Sequence, residues 1–324
     1  MELKSIQQGI DRGRAFVICT HVNPDADGVG AAVAFAWLLQ RLGKSAWIVK
    51  RERLPGQFRF IEEIFPVHTD LPAAAADADT WVVLDASRSS RTDFPPPAGC
   101  TVINIDHHAD NEYFGDFNWV DSSAAATAVM VFGLIRAYGL FTDRAVAESL
   151  YAGILIDTGG FKFSNTNAGV FSACAELAAC GVDCQRLYNL VFLGKPFARF
   201  RLEGQLMSRA ELLQDGRVCL MAVTEEAMAE SGAARDQLEG LSNLTMGLRG
   251  VEVGIMFIAQ AEAVKVCLRS DGAWNVGEIA TRFGGGGHAA AAGCTLPGGI
   301  AAARVRVMDA VAALLTPALA AAAV

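Results

Sequence analysis

This 324-residue chain has only five histidines, and four of them stand in aspartate- or glycine-dense segments. His107 and His108 end the triplet Asp106-His107-His108, directly after the apolar run Thr101-Val102-Ile103-Asn104-Ile105. His21 opens His21-Val22-Asn23-Pro24-Asp25-Ala26-Asp27, and His288 ends Gly284-Gly285-Gly286-Gly287-His288. Asp85 follows the apolar run Trp81-Val82-Val83-Leu84, and Asp157 precedes Thr158-Gly159-Gly160. His21, Asp25, Asp27, Asp85, Asp157 and one histidine of the triplet offer hard oxygen and nitrogen donors with no thiolate, a set suited to Mn²⁺ or Mg²⁺ and less so to structural zinc. Asp25 and Asp27 can face two different ions. Two cations about 3.5 to 4 Å apart can clamp a phosphoryl oxygen and acidify a water, which is phosphoester hydrolysis chemistry.

Singly, each residue has an ordinary structural reading, because a strand-end aspartate commonly caps a helix or forms a turn. Joint placement favours the metal. Apolar β-favouring runs at 15–20, 46–50, 80–84 and 101–105 alternate with helical patterns at 28–42, 122–138, 143–156 and 168–181. This alternation predicts an α/β fold with a doubly wound, mainly parallel sheet, in which ligands gather beyond the carboxyl ends of the strands. Asp157 closes either a helix or a short strand. Gly28 and Gly30 are expected to let the His21–Asp27 loop turn tightly into the following helix.

The segment 191–205 breaks the alternation and reads as a linker between residues 1–190 and a smaller α/β domain at 206–316. Strands are expected there at 217–224, 251–259 and 263–270, helices at 276–283 and 302–315, and a fraying alanine tail at 317–324. The run Gly285-Gly286-Gly287 could turn consecutive backbone N–H groups toward an anion, with His288, Arg269 and Ser270 on the same phosphate. Its ordinary alternative is a plain polyglycine turn. Phe197, Phe200, Phe257 and Trp274 are candidates for stacking on a base, with packing as the competing reading.

Composition narrows the setting. A hydrophobic fraction of 52% and a mean hydropathy of +0.30 fit a well-buried protein, and Arg, Lys, Asp or Gly interrupts every apolar stretch before it reaches membrane-spanning length. The first residues lack the apolar core of a secretory signal, so a cytoplasmic location is expected. Eight scattered cysteines form no CxxC pair and read as reduced thiols. A formal charge of −8 argues against binding long duplex nucleic acid.

As a set, His21 to Asp27, Leu84-Asp85, Asp106-His107-His108, Asp157-Thr158-Gly159-Gly160-Phe161 and the glycine run ending in His288 resemble the DHH-family phosphoesterases that carry a DHH-associated C-terminal domain. The resemblance spans His21 to about Leu315 and is strongest to the short-oligoribonuclease (nanoRNase) and 3′-phosphoadenosine-5′-phosphate phosphatase branch. It implies that His21 and Asp25 hold one ion, that Asp27, His107 and Asp157 hold the other, and that Asp85 bridges them. His108 would lie beside the scissile phosphate, with Asp106 as its support. Arg91 would help hold substrate, and Arg269, Ser270 and His288 would grip its terminal phosphate. The active site is expected in a cleft between the two domains. Two divalent cations, Mn²⁺ before Mg²⁺, and short single-stranded RNA or small nucleotides are the implied cofactors and substrates, and a homodimer is left open. Ala26 departs from a frequent family glycine and Ala31 from a common serine, and neither is a ligand. The alternatives are a cyclic dinucleotide or linear diadenylate phosphodiesterase, an inorganic pyrophosphatase or polyphosphatase, and a non-catalytic short-RNA-binding protein.

Overall fold

The computed structural model describes residues 2–321 and divides into two compact units, one ending at Gly194 and the other starting at Lys195. The first unit runs α1 (Glu2–Arg12), β1 (Ala15–Cys19), α2 (Ala26–Arg41), β2 (Ser45–Val49), α3 (Arg59–Glu62), β3 (Val67–His68), β4 (Thr80–Leu84), β5 (Thr101–Asp106), β6 (Phe117–Val120), α4 (Thr127–Ala137), α5 (Arg144–Asp157), α6 (Ala168–Ala179) and α7 (Cys184–Phe192). Its six strands lie in the order β3-β2-β1-β4-β5-β6, and every neighbouring pair is parallel.

Two-residue alternation in β1 sends Phe16 and Ile18 into a core shared with α1, α2, α4 and α5, through Ile6, Leu38, Val131 and Leu150. Val17 and Cys19 point to the opposite face, where a smaller cluster includes Trp81 and Val83, with Trp47, Phe94 and Phe114 packed against it. The strand order reverses between β1 and β4, so a crevice opens beyond their carboxyl ends. The segments after β1, β4 and β5 carry His21 to Asp27, Asp85 and His107-His108 to that edge.

Helix α2 is buried on every side from Ala26 to Leu39, which accounts for its lack of a polar stripe. Gly28 and Gly30, expected in the turn, lie inside this helix. The turn itself is made by Asp25, whose carboxylate caps α2 by accepting from the N–H groups of Asp27 at 2.9 Å and Gly28 at 3.1 Å. The missing Cβ atoms serve close packing. One on Gly30 would sit 2.5 Å from the Ser149 carbonyl oxygen of α5, and one on Gly153 of α5 would sit 2.9 Å from Asp27 Cα. Helix α4 starts at Thr127, later than expected, because the Asp121 carboxylate draws in the Ser123 N–H and hydroxyl as a turn. Asp157 ends a helix, which settles the open choice there.

The second unit contains α8 (Phe197–Ser208), β7 (Glu211–Leu213), β8 (Val218–Val223), α9 (Glu225–Ser231), β9 (Val253–Ala259), β10 (Ala263–Ser270), α10 (Val276–Arg282), β11 (Gly286–Gly287), β12 (Ala291–Pro297) and α11 (Ile300–Ala321). Its strands are ordered β11-β12-β10-β9-β8-β7, antiparallel except for β8 with β9. Ile255 and Phe257 pack with Val307 and Val311 of α11 on one face, while Met256 and Met221 meet Leu202 and Leu206 of α8 on the other. Phe257 is therefore core and unavailable for stacking. Residues 191–205 are largely helical, comprising the end of α7, a bend at Gly194 and most of α8. Of the expected tail, residues up to Ala321 continue α11, and 322–324 lie outside the described residues. Among the described residues no helix is long and apolar enough to cross a membrane.

Candidate metal centre

Asp85, one residue beyond β4, is 3% exposed and adopts the left-handed backbone conformation, φ 58°. Such a conformation is uncommon for a residue with a Cβ and tends to persist where surrounding structure imposes it, as at functional sites. Here the Asp85 N–H donates to the Ile105 carbonyl at 3.0 Å, which ties the bend to β5. The carboxylate then spans the crevice. Oδ2 lies 3.4 Å from His21 Nε2, while Oδ1 lies 3.4 Å from His107 Nε2 and accepts from the Thr127 hydroxyl at 3.1 Å. His107 Nε2 is also 3.1 Å from Asp157 Oδ2, and His21 Nε2 is 3.8 Å from Asp25 Oδ1.

The donors converge into three groups, each with its ligand atoms within 4.8 Å of one another: His21, Asp25 and Asp85; Asp27, His107 and Asp157; and Asp85, His107 and His108. Asp27 is fully buried and straddles the start of α4, accepting from the Thr127 N–H at 2.7 Å and the Ala128 N–H at 2.8 Å. Those two donors favour its carboxylate form.

The electrostatics are those of a carboxylate cluster short of positive charge. Burial, Asp85 and Asp157 push the Asp27 carboxyl well above its usual range. Burial also lifts Asp157 to about 6, against the pull of His107. Burial disfavours a charged imidazole at His21, yet hydrogen bonds to Asp25 and Asp85 raise it to about 11. At His107 the same contest, with Asp157 and Asp85 as partners, ends at about 12. Asp85 opposes its own burial through bonds to His107 and His21 and is held well below the usual carboxylate range. Among the described residues, neither lysine nor arginine forms an ion pair with any of these carboxylates. The buried hydroxyls of Thr20 and Ser87, which flank this crevice in sequence, have no protein partner. Oxygen and imidazole donors, convergent geometry and the absence of lysine or arginine partners among the described residues fit hard divalent cations.

A second layer orients the histidines. His108 Nδ1 is 2.7 Å from Asp106 Oδ1, and Asp106 Oδ2 accepts from Asn111 Nδ2 at 2.6 Å. Asn111 also bonds Asn104 Oδ1, whose own amide is fixed on the Val83 and Ala86 carbonyls. Burial opposes charge on His108, but the Asp106 bond raises its pKa. Arg91 is exposed just after Asp85, and its carbonyl accepts from the Val22 N–H at 2.7 Å, fastening the His21 loop. The sequence reading missed Thr127 and Gly153, whose partners Asp85 and Asp27 are distant in the chain, and Asn111, which acts only through Asp106 and Asn104.

In the second unit, Arg269 and Ser270 are half-buried and already engaged. Arg269 donates to Asn243 Oδ1 at 2.9 Å, and the Ser270 hydroxyl donates to the Trp274 carbonyl at 2.6 Å. The glycine run differs from the expected open cradle. The N–H groups of Gly284 and Gly285 close the end of α10, and Gly286-Gly287 pair with β12 as a hairpin whose His288 N–H bonds the Ala291 carbonyl. A Cβ at Gly285 would meet the Gly293 carbonyl at 2.1 Å, so close packing alone requires glycine there. His288 is exposed at the hairpin tip. Phe197 and Phe200 are exposed, whereas Trp274 is packed, with its indole N–H on Glu252 at 2.8 Å.

Comparison with known proteins adds an independent line. The DHH family N-terminal domain matches residues 15–154, and the DHHA1 domain matches residues 215–316. The chain is 38% identical over 285 residues to the bifunctional oligoribonuclease and PAP phosphatase NrnA of Thermus thermophilus, covering 87% of this chain and 84% of that one. It is 25% identical over 296 residues to the protein of the same name in Bacillus subtilis, covering 86% and 88%. Among solved structures, an exopolyphosphatase-related protein from Bacteroides fragilis superposes with a TM-score of 0.86 at 25% identity, over 95% of this chain and 94% of that one.

Proposed function

The chain belongs to the DHH family of phosphoesterases, and from that premise we propose that it hydrolyses short single-stranded RNA oligonucleotides and removes the 3′ phosphate of 3′-phosphoadenosine-5′-phosphate. The observation that carries this reading is that the buried Asp85 carboxylate faces both ligand sets, Oδ2 at 3.4 Å from His21 Nε2 and Oδ1 at 3.4 Å from His107 Nε2. In this proposal His21 and Asp25 hold one Mn²⁺, Asp27, His107 and Asp157 hold the second, and Asp85 serves both, with Mg²⁺ acceptable to the same oxygens. Bound there, the cations supply Lewis-acid polarisation of a phosphoryl oxygen and a lowered pKa for the attacking water.

The protein's own groups do the remaining work. Asp106, locked by Asn111, orients the His108 ring through Nδ1, so that Nε2 is the atom that meets substrate and delivers a proton to the leaving oxygen. Asn104 and the Asp85 backbone bond to β5 hold these groups in place before substrate arrives. In the second unit Arg269, Ser270 and the Gly285–His288 hairpin are proposed to bind nucleotide phosphate, Arg269 by exchanging its Asn243 bond for a stronger charge-assisted one. Arg91 is proposed to contact substrate beside the His21 loop.

A substrate panel with product sizing tests the reading. Purified protein with Mn²⁺ should cleave a 5′-labelled diribonucleotide and release phosphate from 3′-phosphoadenosine-5′-phosphate, with neither reaction in EDTA. Faster turnover of pyrophosphate or cyclic diadenylate than of both would move the assignment to another branch of the family.

A further inference from the structure

The turn that follows Asp157 carries an aromatic surface that the metal chemistry does not use. Gly159 lies against the Phe163 ring, since a Cβ there would meet its tip at 2.5 Å, and Gly160 lies against Phe192, at 3.1 Å on the same measure, with Tyr188 next to it. Tyr188 and Phe192 pack together at 5.0 Å between ring centroids, and Phe161 packs on Phe171 at 5.6 Å. Yet Phe163 is 40% exposed, Tyr188 45% and Phe171 56%. Burying rings of that size normally favours folding, so aromatic area left facing solvent on the turn that follows a candidate metal ligand invites a ligand. Gly159 stands two residues beyond Asp157, at most about 7 Å of chain, and the Phe163 ring lies against it.

The surface is also rigid and cationic. Asn165 donates to the Asp157 carbonyl at 2.9 Å and the Ala125 carbonyl at 3.1 Å, the Thr158 hydroxyl accepts from the Phe161 N–H at 3.1 Å, and the Phe163 N–H bonds the Thr158 carbonyl. The Lys162 ammonium lies 5.6 Å from the Phe163 ring centroid and, among the described residues, forms no ion pair. A fixed aromatic face beside an ammonium that has no carboxylate partner among the described residues is what a stacked base and its attached phosphate require.

We infer that Phe163, on the same turn as the glycine that lies against Phe192 and Tyr188, is the stacking platform for the nucleobase next to the bond that is cut, and that it selects nucleotides over phosphoesters without a base. This rests on the nucleotide-hydrolase reading above. Stacking is sequence-tolerant because every base has a π-face, so the platform gives preference for short single strands without preference for a particular base.

The test compares wild type with Phe163→Ala, Phe163→Leu and Phe163→Tyr in Mn²⁺, on a diribonucleotide and on the same molecule lacking one base. Alanine and leucine should raise KM for the intact molecule by about 5- to 100-fold with kcat nearly unchanged, and should erase most discrimination against the abasic one. Tyrosine should restore both. Equal effects on the two substrates, or none, overturn the inference. So does a change of oligomeric state in Phe163→Leu with KM unmoved, which would make the surface a contact between copies. Quenching of a 2-aminopurine diribonucleotide with a methylphosphonate linkage reads stacking without turnover. Quenching that is lost in Phe163→Leu while wild type hydrolyses nothing would keep the platform and sink the hydrolase. Turnover without quenching would do the reverse.

Discussion

Replacing Asp85 by asparagine separates the candidate metal centre from the fold that holds it. Asparagine tolerates the φ 58° backbone at least as well as aspartate and keeps an acceptor for the Thr127 hydroxyl, so the main chain bond to Ile105 survives. His21 keeps Asp25 and His107 keeps Asp157, while the like-charge pressure of Asp85 on Asp27 and Asp157 disappears. These effects oppose one another, and melting in EDTA should stay within about 4 °C of wild type, corresponding to about 1 kcal/mol. Metal binding should change far more. Asp85 faces His21 with one oxygen and His107 with the other, and asparagine turns one of them into an amide and strips the charge from both; charge-assisted contacts are worth roughly 1.5 to 3 kcal/mol apiece, so the change costs about 3 to 6 kcal/mol. At about 1.4 kcal/mol per decade, turnover of a 5′-labelled diribonucleotide should fall roughly 10²- to 10⁴-fold. Melts with and without Mn²⁺ complete the assay. Wild type at about 100 times Kd gains about 2.7 kcal/mol per site, and Asp85→Asn should lose most of that gain. Turnover within tenfold of wild type, or an undiminished Mn²⁺ shift, would refute the reasoning.

Three further outcomes follow from the geometry. Gly153→Ala places a Cβ 2.9 Å from both Asp27 Cα and Asp27 Oδ1, so it should destabilise the fold by about 1 to 3 kcal/mol in thermal melts and weaken Mn²⁺ binding, and an unchanged melt would contradict the packing. The imidazoles of His21 and His107 are raised to about 11 and 12 by their carboxylate partners and must be neutral to act as ligands; calorimetry of Mn²⁺ binding in two buffers should therefore read net proton release, and affinity should rise with pH. Without metal the sign runs the other way: these histidine–carboxylate pairs stabilise the fold fully below the ordinary histidine value of 6.5 and lose that contribution as pH climbs through about 11 to 12. Asn111→Ala frees Asp106 and with it the His108 ring, so kcat should fall about 10- to 100-fold with little change in KM, whereas an unchanged kcat in a folded variant would remove His108 from the chemistry.

The centre was legible because scarce residue types fall at the ends of apolar runs, and a parallel sheet gathers those ends on one edge. β1 and β4 announce themselves by near-continuous apolar sequence, as buried parallel strands do, and β5 by the β-branched residues around its buried Asn104. β3 and β11 are two residues long, half-exposed β6 lacks that signature, and β12 is alanine-rich, so periodicity had nothing to grip. Gly153 looked like any helical glycine until α5 was set against Asp27. Asn111 and Thr127 sit in stretches without motif character, and their roles exist only through Asp106 and Asp85. The glycine run folds otherwise than expected. Its composition suits an anion cradle, but several of its N–H groups are spent on a helix end and a hairpin that local sequence does not reveal.

Anomalous scattering at the manganese edge, from crystals grown with Mn²⁺, tests the two-cation centre most directly. Two peaks about 3.5 to 4 Å apart are expected, one toward His21 and Asp25, the other toward Asp27, His107 and Asp157, with the Asp85 carboxylate touching both. A single peak, or two that do not share Asp85, would contradict it.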